Sequence, residues 1–205
     1  ISATKDVPLN IPVNLVQNGA NELMINATDS AGNRGSNTIT ISLDNTAPVI
    51  TNIQPTNPQP IPTPAISARI RDESGIGNAT VFIDGQEVFF TNIPSTSKDH
   101  DLSFTLTDPL TDQATHTIQI QAQDIHGNRR ISETVNFLVD TSLPNLIQQF
   151  PIPGSIIKDS TPQLEISLED EVVISSATLN ANSITFNSAD KKQFSHQVVI
   201  SLPEG

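Results

Sequence analysis

Hydrophobic residues in this chain recur at every second position in short runs, separated by clusters rich in Gly, Asn, Asp and Pro. Ile11, Val13 and Leu15 form one such run, and Leu23, Ile25 and Ala27 another; Ile39, Ile41 and Leu43 form the next. A period of two puts one side of an extended segment against a core and the other in water, so each run predicts a half-buried β-strand. Residues 47–142 carry a fuller set of seven strands, around Val49–Ile53, Ile66–Ile70, Val81–Ile83, Val88–Phe90, Leu102–Leu106, Ile118–Ala122 and Val135–Val139. Asp84-Gly85 supplies a two-residue hairpin signal between the third and fourth. The prolines of Gln54–Pro64 forbid regular ladder bonding there. Seven short alternating strands suit two sheets packed face to face.

The pattern repeats. Asp29-x-x-Gly32-Asn33 returns as Asp124-x-x-Gly127-Asn128, 95 positions on, and the junction Asp44-Asn-Thr-Ala-Pro48 returns as Asp140-Thr-Ser-Leu-Pro144, 96 positions on. Asp72-Glu73 returns as Asp170-Glu171 at a distance of 98. The expected organisation is the C-terminal half of a domain over residues 1–46, a complete domain over 47–142, and the N-terminal half of a third over 143–205. The last segment restarts the pattern, with Leu164, Ile166 and Leu168 in place of Ile66, Ala68 and Ile70. Val198, Ile200 and Leu202 match Val13 and Leu15, and Leu202–Gly205 match Val16–Gly19, with Val16–Asn21 expected as a turn. Two explanations stand: a window on a longer tandem array, or half-domains of neighbouring chains completing each other head to tail. A start at Ile1 with no signal-peptide pattern leads us to expect a processed chain or a segment of a longer one.

Composition narrows the function. A net charge of −12 spread along the chain repels nucleic acid and anionic lipid and attracts divalent cations. Cysteine is absent, which excludes disulfides and thiolate metal sites, and no apolar run is long enough for a transmembrane helix. Phe is the only aromatic residue type, so the stacking platforms common in sugar-binding sites are missing. The four histidines are scattered and are expected at the surface. No nucleophile elbow or phosphate loop is present, so catalysis is not expected.

The paired turns and Asp-rich Pro junctions, with Asp72-Glu-Ser-Gly-Ile76, resemble the bacterial Ig-like repeats of large cell-surface adhesins and other extracellular bacterial proteins. The resemblance covers essentially the whole chain. It departs at Asp170-Glu-Val-Val173, which lacks the glycine, and at Leu143, where the family has alanine. It implies an all-β fold of tandem Ig-like β-sandwich domains, about seven strands each. It implies an extracellular spacer or stalk whose partners are neighbouring Ig-like repeats of the same chain or fibre. Some members are stiffened by calcium near their junctions. An accessory module of a secreted enzyme is a further implication.

In an Ig-type sandwich the junction and two loops meet at one end. That topology predicts one cluster of Asp44, Asp72, Glu73, Asp124 and Asn128, and a second of Asp140, Asp170 and Glu171. The matching turn residues Asp29 and Asn33 complete the set of candidate calcium ligands. The competing reading is that these aspartates cap their own turns and pair with Arg34, Arg71, Arg129 or Arg130.

Overall fold

The computed structural model describes residues 10–15, 18–158, 163–170, 172–174, 176–179, 182–184 and 193–199. Among them the chain is all-β, without helices, and its sheets are antiparallel. In order the strands are β1 (Gly19–Thr28), β2 (Arg34–Leu43), β3 (Val49–Gln54), β4 (Ala65–Arg71), β5 (Ile76–Ile83), β6 (Gln86–Asn92), β7 (Asp99–Thr105) and β8 (Ala114–Asp124). They continue as β9 (Arg129–Ile131), β10 (Val135–Val139), β11 (Asn145–Phe150), β12 (Gln163–Glu169), β13 (Ala177–Leu179), β14 (Asn182–Ile184) and β15 (Gln193–Val199).

The middle unit is sandwich-like. One sheet has the order β3-β4-β7 and the other β10-β8-β5-β6, with β9 also on β8. Alternation turns Ile66, Ala68, Ile70 and Leu102 inward from the first sheet. They meet Ile76, Val81, Ile83, Ile118, Ile120, Ala122, Phe137 and Val139 from the second in one core. At the open edge, Phe89 of β6 stacks on Phe104 of β7 with centroids 4.1 Å apart, joining the two sheets. The break between β9 and β10 has a local cause. Ser132 donates its backbone N–H to the Ile120 carbonyl, but its hydroxyl, not a backbone carbonyl, accepts the Ile120 N–H. Inside the proline-rich connection, Gln59 alone bridges to a strand, pairing with Val139.

Flanking this unit, β1 and β2 form a two-stranded hairpin. On the other side, β11-β12-β15 form a three-stranded sheet and β13-β14 a separate pair. Three expectations need correction. Residues 10–15 are not a strand, because no ladder partner accompanies them among the described residues, whereas their counterpart β15 pairs with β12. The turn expected over Val16–Asn21 is cut short, because Gly19–Asn21 already pair with Ile41–Leu43 in the ladder. Leu23, Ile25 and Ala27 were expected half-buried, but Ile25 and Ala27 are exposed, since among the described residues no sheet packs on the hairpin. Val16, Glu171, Ile200 and Leu202–Gly205 lie outside the described residues.

Candidate metal centre at the first junction

Three segments converge where the hairpin hands over to the middle unit. Asp44 follows β2, Asp72 follows β4, and Asp124 ends β8. One carboxylate oxygen from each lies within 4.8 Å of the other two. Asp72 and Asp124 are buried, and the Asp44 side chain is 18% exposed.

Each carboxylate first serves its own loop. Asp72 Oδ1 accepts the backbone N–H groups of Ser74 (2.9 Å) and Gly75 (3.2 Å) and the Ser74 hydroxyl (2.5 Å). Asp124 Oδ1 accepts the N–H groups of His126 (2.9 Å) and Asn128 (2.8 Å). Asp44 Oδ1 accepts the N–H (3.1 Å) and hydroxyl (2.9 Å) of Thr46. These are Asx-type turns, in which a short acidic side chain satisfies backbone donors just ahead of it. Gly75 makes the Asp72 loop possible: its φ is +124°, and a Cβ there would stand 2.4 Å from the Ser95 carbonyl oxygen.

Capping does not use up the carboxylates. Asp44 Oδ2 is buried without a hydrogen-bond partner, and His126 Nδ1 stands 4.0 Å from it. The Asp44 carboxyl lies below its ordinary value: the nearby Ser74 hydroxyl, whose one proton is directed to Asp72 Oδ1, and the Thr46 N–H lower it against the opposing effect of burial, with help from the Thr46 hydroxyl and His126. The arginines proposed as partners are not there. Arg71 pairs with Asp99 at 3.2 Å, and among the described residues no arginine forms a salt bridge with Asp44, Asp72 or Asp124.

The donor set suits a hard cation. All three offered atoms are carboxylate oxygens, two on loops and one at a strand end, the ligand type calcium accepts. Mutual repulsion of ionised carboxylates at this spacing is about 3 kcal/mol per pair at an effective dielectric of about 20.

The other expected ligands divide. Asn128 belongs to the centre but as a donor: its amide Nδ2 bonds Asp124 Oδ2 at 2.7 Å and the Asp44 carbonyl at 3.2 Å, tying turn to junction. Glu73 is exposed and outside the trio. Asp29 and Asn33 reproduce the Asp124 turn, with Oδ1 accepting the Ala31 and Asn33 N–H groups and Oδ2 the Asn33 amide, which holds Asp29 below its usual value. They are exposed and lie at the opposite end of β2 from Asp44, a ten-residue strand away, about 33 Å.

At the second junction Asp140 Oδ1 accepts the N–H (3.0 Å) and the hydroxyl of Ser142, while its Oδ2 is buried without a partner. Asp170 Oδ1 caps Val172 at 3.1 Å. A cleft of about 380 Å³ opens beside Asp140, Ser142 and Asp170.

Sequence reasoning missed Ser74 and Thr46 as supporting groups, although each lies two residues from a candidate aspartate. It also misplaced His116. This histidine is buried, 5% exposed, with Nδ1 2.7 Å from Asp84 Oδ2 and Nε2 2.9 Å from the Thr111 carbonyl. Two acceptors facing both ring nitrogens favour the imidazolium. Its position, two residues before Ile118 on an alternating strand, was the available signal.

No protein-family model and no curated protein matches the chain. Among solved structures it is similar to dimeric latent PorU from Porphyromonas gingivalis, at 16% identity and a TM-score of 0.39, over 86% of this chain. The match spans 20% of the length of that protein's chain.

Proposed function

We propose that the chain is part of a run of Ig-like sandwiches that serves as a non-catalytic extracellular spacer on a bacterial surface, with calcium fixing the junction between successive units. The observation that carries this reading is the convergence of Asp44, Asp72 and Asp124 from a junction and two loops, with one buried oxygen left unpartnered. Such a centre acts across a boundary: Asp44 belongs to the linker, whereas Asp72 and Asp124 belong to the following unit. A cation bridging them would couple the orientation of one unit to the next, which is what a stiff stalk requires. The repeat of the same elements after about one domain length supports a serial design. Asp44 would be the ligand sensitive to interdomain angle, Asp72 and Asp124 the fixed pair, and Asn128 the clamp that sets the linker.

Small-angle scattering of the full chain tests this reading. Millimolar calcium should narrow the distribution of interdomain distances, and Asp44→Ala should remove the change. An unchanged scattering profile would leave a spacer held by turns and proline alone.

A further inference from the structure

The two junctions are pinned by equivalent side chains of different chemistry. Asn18, just ahead of β1, accepts the Asn45 backbone N–H on Oδ1 at 3.0 Å and donates its amide to the Thr46 hydroxyl at 2.8 Å. Asp112, ahead of β8, accepts the Thr141 backbone N–H on Oδ1 at 2.8 Å and the Thr141 hydroxyl on Oδ2 at 2.7 Å. Asn45 and Thr141 each follow a junction aspartate, Asp44 and Asp140. Each side chain therefore fixes the start of a linker to the loop that leads into a neighbouring strand.

The grip on Thr141 is connected to a titratable ring. Thr111 and Asp112 share one peptide group, and the Thr111 carbonyl lies 2.9 Å from His116 Nε2. The other ring nitrogen, Nδ1, lies 2.7 Å from Asp84 Oδ2 at the β5–β6 turn. Asp84 is itself fixed, since its Oδ1 accepts the Thr117 N–H at 2.8 Å. Among the described residues Asp84 is the one charged group in salt-bridge contact with the ring. From β10 the ring meets Phe137, with centroids 5.8 Å apart. The β7–β8 loop offers the Thr111 carbonyl; of that loop's carboxylates, Asp112 is engaged by Thr141 and Asp108 is exposed. At the 95-residue offset of the repeat, the position of His116 is taken by Asn21, which does not titrate.

We propose that the proton on His116 Nε2 governs the grip on the second junction. With the proton in place, the Thr111–Asp112 peptide is fixed and Asp112 holds Thr141. When the ring loses a proton, the charge-assisted bond to the Asp84 carboxylate keeps the one on Nδ1, so the one lost is on Nε2. A nitrogen lone pair then faces the Thr111 carbonyl oxygen, acceptor against acceptor. The peptide turns to relieve that contact, and the Asp112 carboxylate moves with it, away from Thr141.

The direction of the response follows from the ring's surroundings. Burial lowers the proton affinity of His116, but the bonds to Asp84 and Thr111 outweigh it and raise the value above the ordinary one of about 6.5. The grip is complete below that ordinary value and is lost as pH rises through the higher folded one. Asp112 does not supply the transition, because the Thr141 hydroxyl and N–H hold its carboxyl below the usual carboxylate range. The second junction is therefore firm on the acid side and loose on the alkaline side, and the first has no such control from its Asn18. No cation takes part, so this control goes beyond the calcium reading of the first junction and stands apart from it.

Nuclear magnetic resonance of the full chain, with chelator present, follows the His116 ring and the Thr141 amide through one titration between about pH 5 and 9. The Thr141 amide shift should change with the midpoint of the His116 ring. Its hydrogen exchange, taken relative to the intrinsic rate at each pH, should quicken by about 2- to 10-fold, the weight of one hydrogen bond. Asp140 supplies the comparison within the same junction, because its N–H is held at 3.0 Å by the Gln59 carbonyl and not by Asp112. Its relative exchange should quicken less than that of Thr141. Asp112→Ala, at an exposed position, should leave the ring titrating and remove the change in the Thr141 shift. A Thr141 amide that ignores the ring's midpoint, a shift change that survives Asp112→Ala, or equal quickening at Asp140 and Thr141 would overturn the proposal.

Discussion

Ile25→Ala and Ile120→Ala make the same chemical change at equivalent positions of the repeat, in opposite surroundings. Ile120 is fully buried on β8 between the two sheets of the middle unit, whereas Ile25 lies on the uncovered face of β1. Truncating a buried isoleucine forfeits its transfer free energy and leaves a cavity, together about 2–5 kcal/mol. In a domain of about 95 residues each kcal/mol moves the melting temperature by about 4–8 °C, so Ile120→Ala should lower it by about 10 °C or more. Ile25→Ala touches no closed core and should change stability by less than about 0.5 kcal/mol. Calorimetric melting of the two variants makes the comparison. Equal losses from the two variants would show that the hairpin already has a packed sheet over it within a single chain, and the description of an open face would be wrong.

Other predictions are independent of that one. Gly75→Ala forces a side chain against the Ser95 carbonyl at a positive φ, and should cost about 1–3 kcal/mol or more while distorting the Asp72 loop; melting and calcium affinity should fall together. Burial alone would lower the His116 pKa, but the Asp84 carboxylate and the Thr111 carbonyl outweigh it and raise the value. The stabilisation is therefore complete below the unfolded histidine value of about 6.5 and lost as pH rises through the higher folded one. Urea melts between about pH 5 and 9 should show that fall, and His116→Phe should flatten it. Asn128→Ala removes the bonds to Asp124 and the Asp44 carbonyl, and should speed amide hydrogen exchange at residues 44–47 more than in β8.

The strands of the middle unit were legible because Ile66-Ser-Ala-Arg-Ile70 and its neighbours alternate cleanly and each faces a complete opposing sheet. The Asp29 and Asp124 turns were legible for a local reason, since the side chain, the glycine and the asparagine that make them lie within five residues. Features that depend on distant partners were harder to read. Residues 10–15 alternate as well as any strand yet have no ladder partner among the described residues. His116 looks like a scattered histidine until the Asp84 hairpin and the Thr111 carbonyl fold onto it. Topology brought Asp44, Asp72 and Asp124 together correctly, but the choice of which polar atom of Asn128 faces the junction is a matter of hydrogen bonding that spacing cannot supply.

Calcium titration calorimetry on the full chain and on Asp44→Asn addresses the junction most directly. A calcium-held junction predicts saturable binding, and at about 100 times the dissociation constant it adds about 2.7 kcal/mol to the stability of the middle unit. Asp44→Asn should abolish that binding at the first junction, while the chain stays folded because the Asx-type caps at Asp72 and Asp124 remain. Absence of binding heat, or an affinity unaffected by Asp44→Asn, would contradict it.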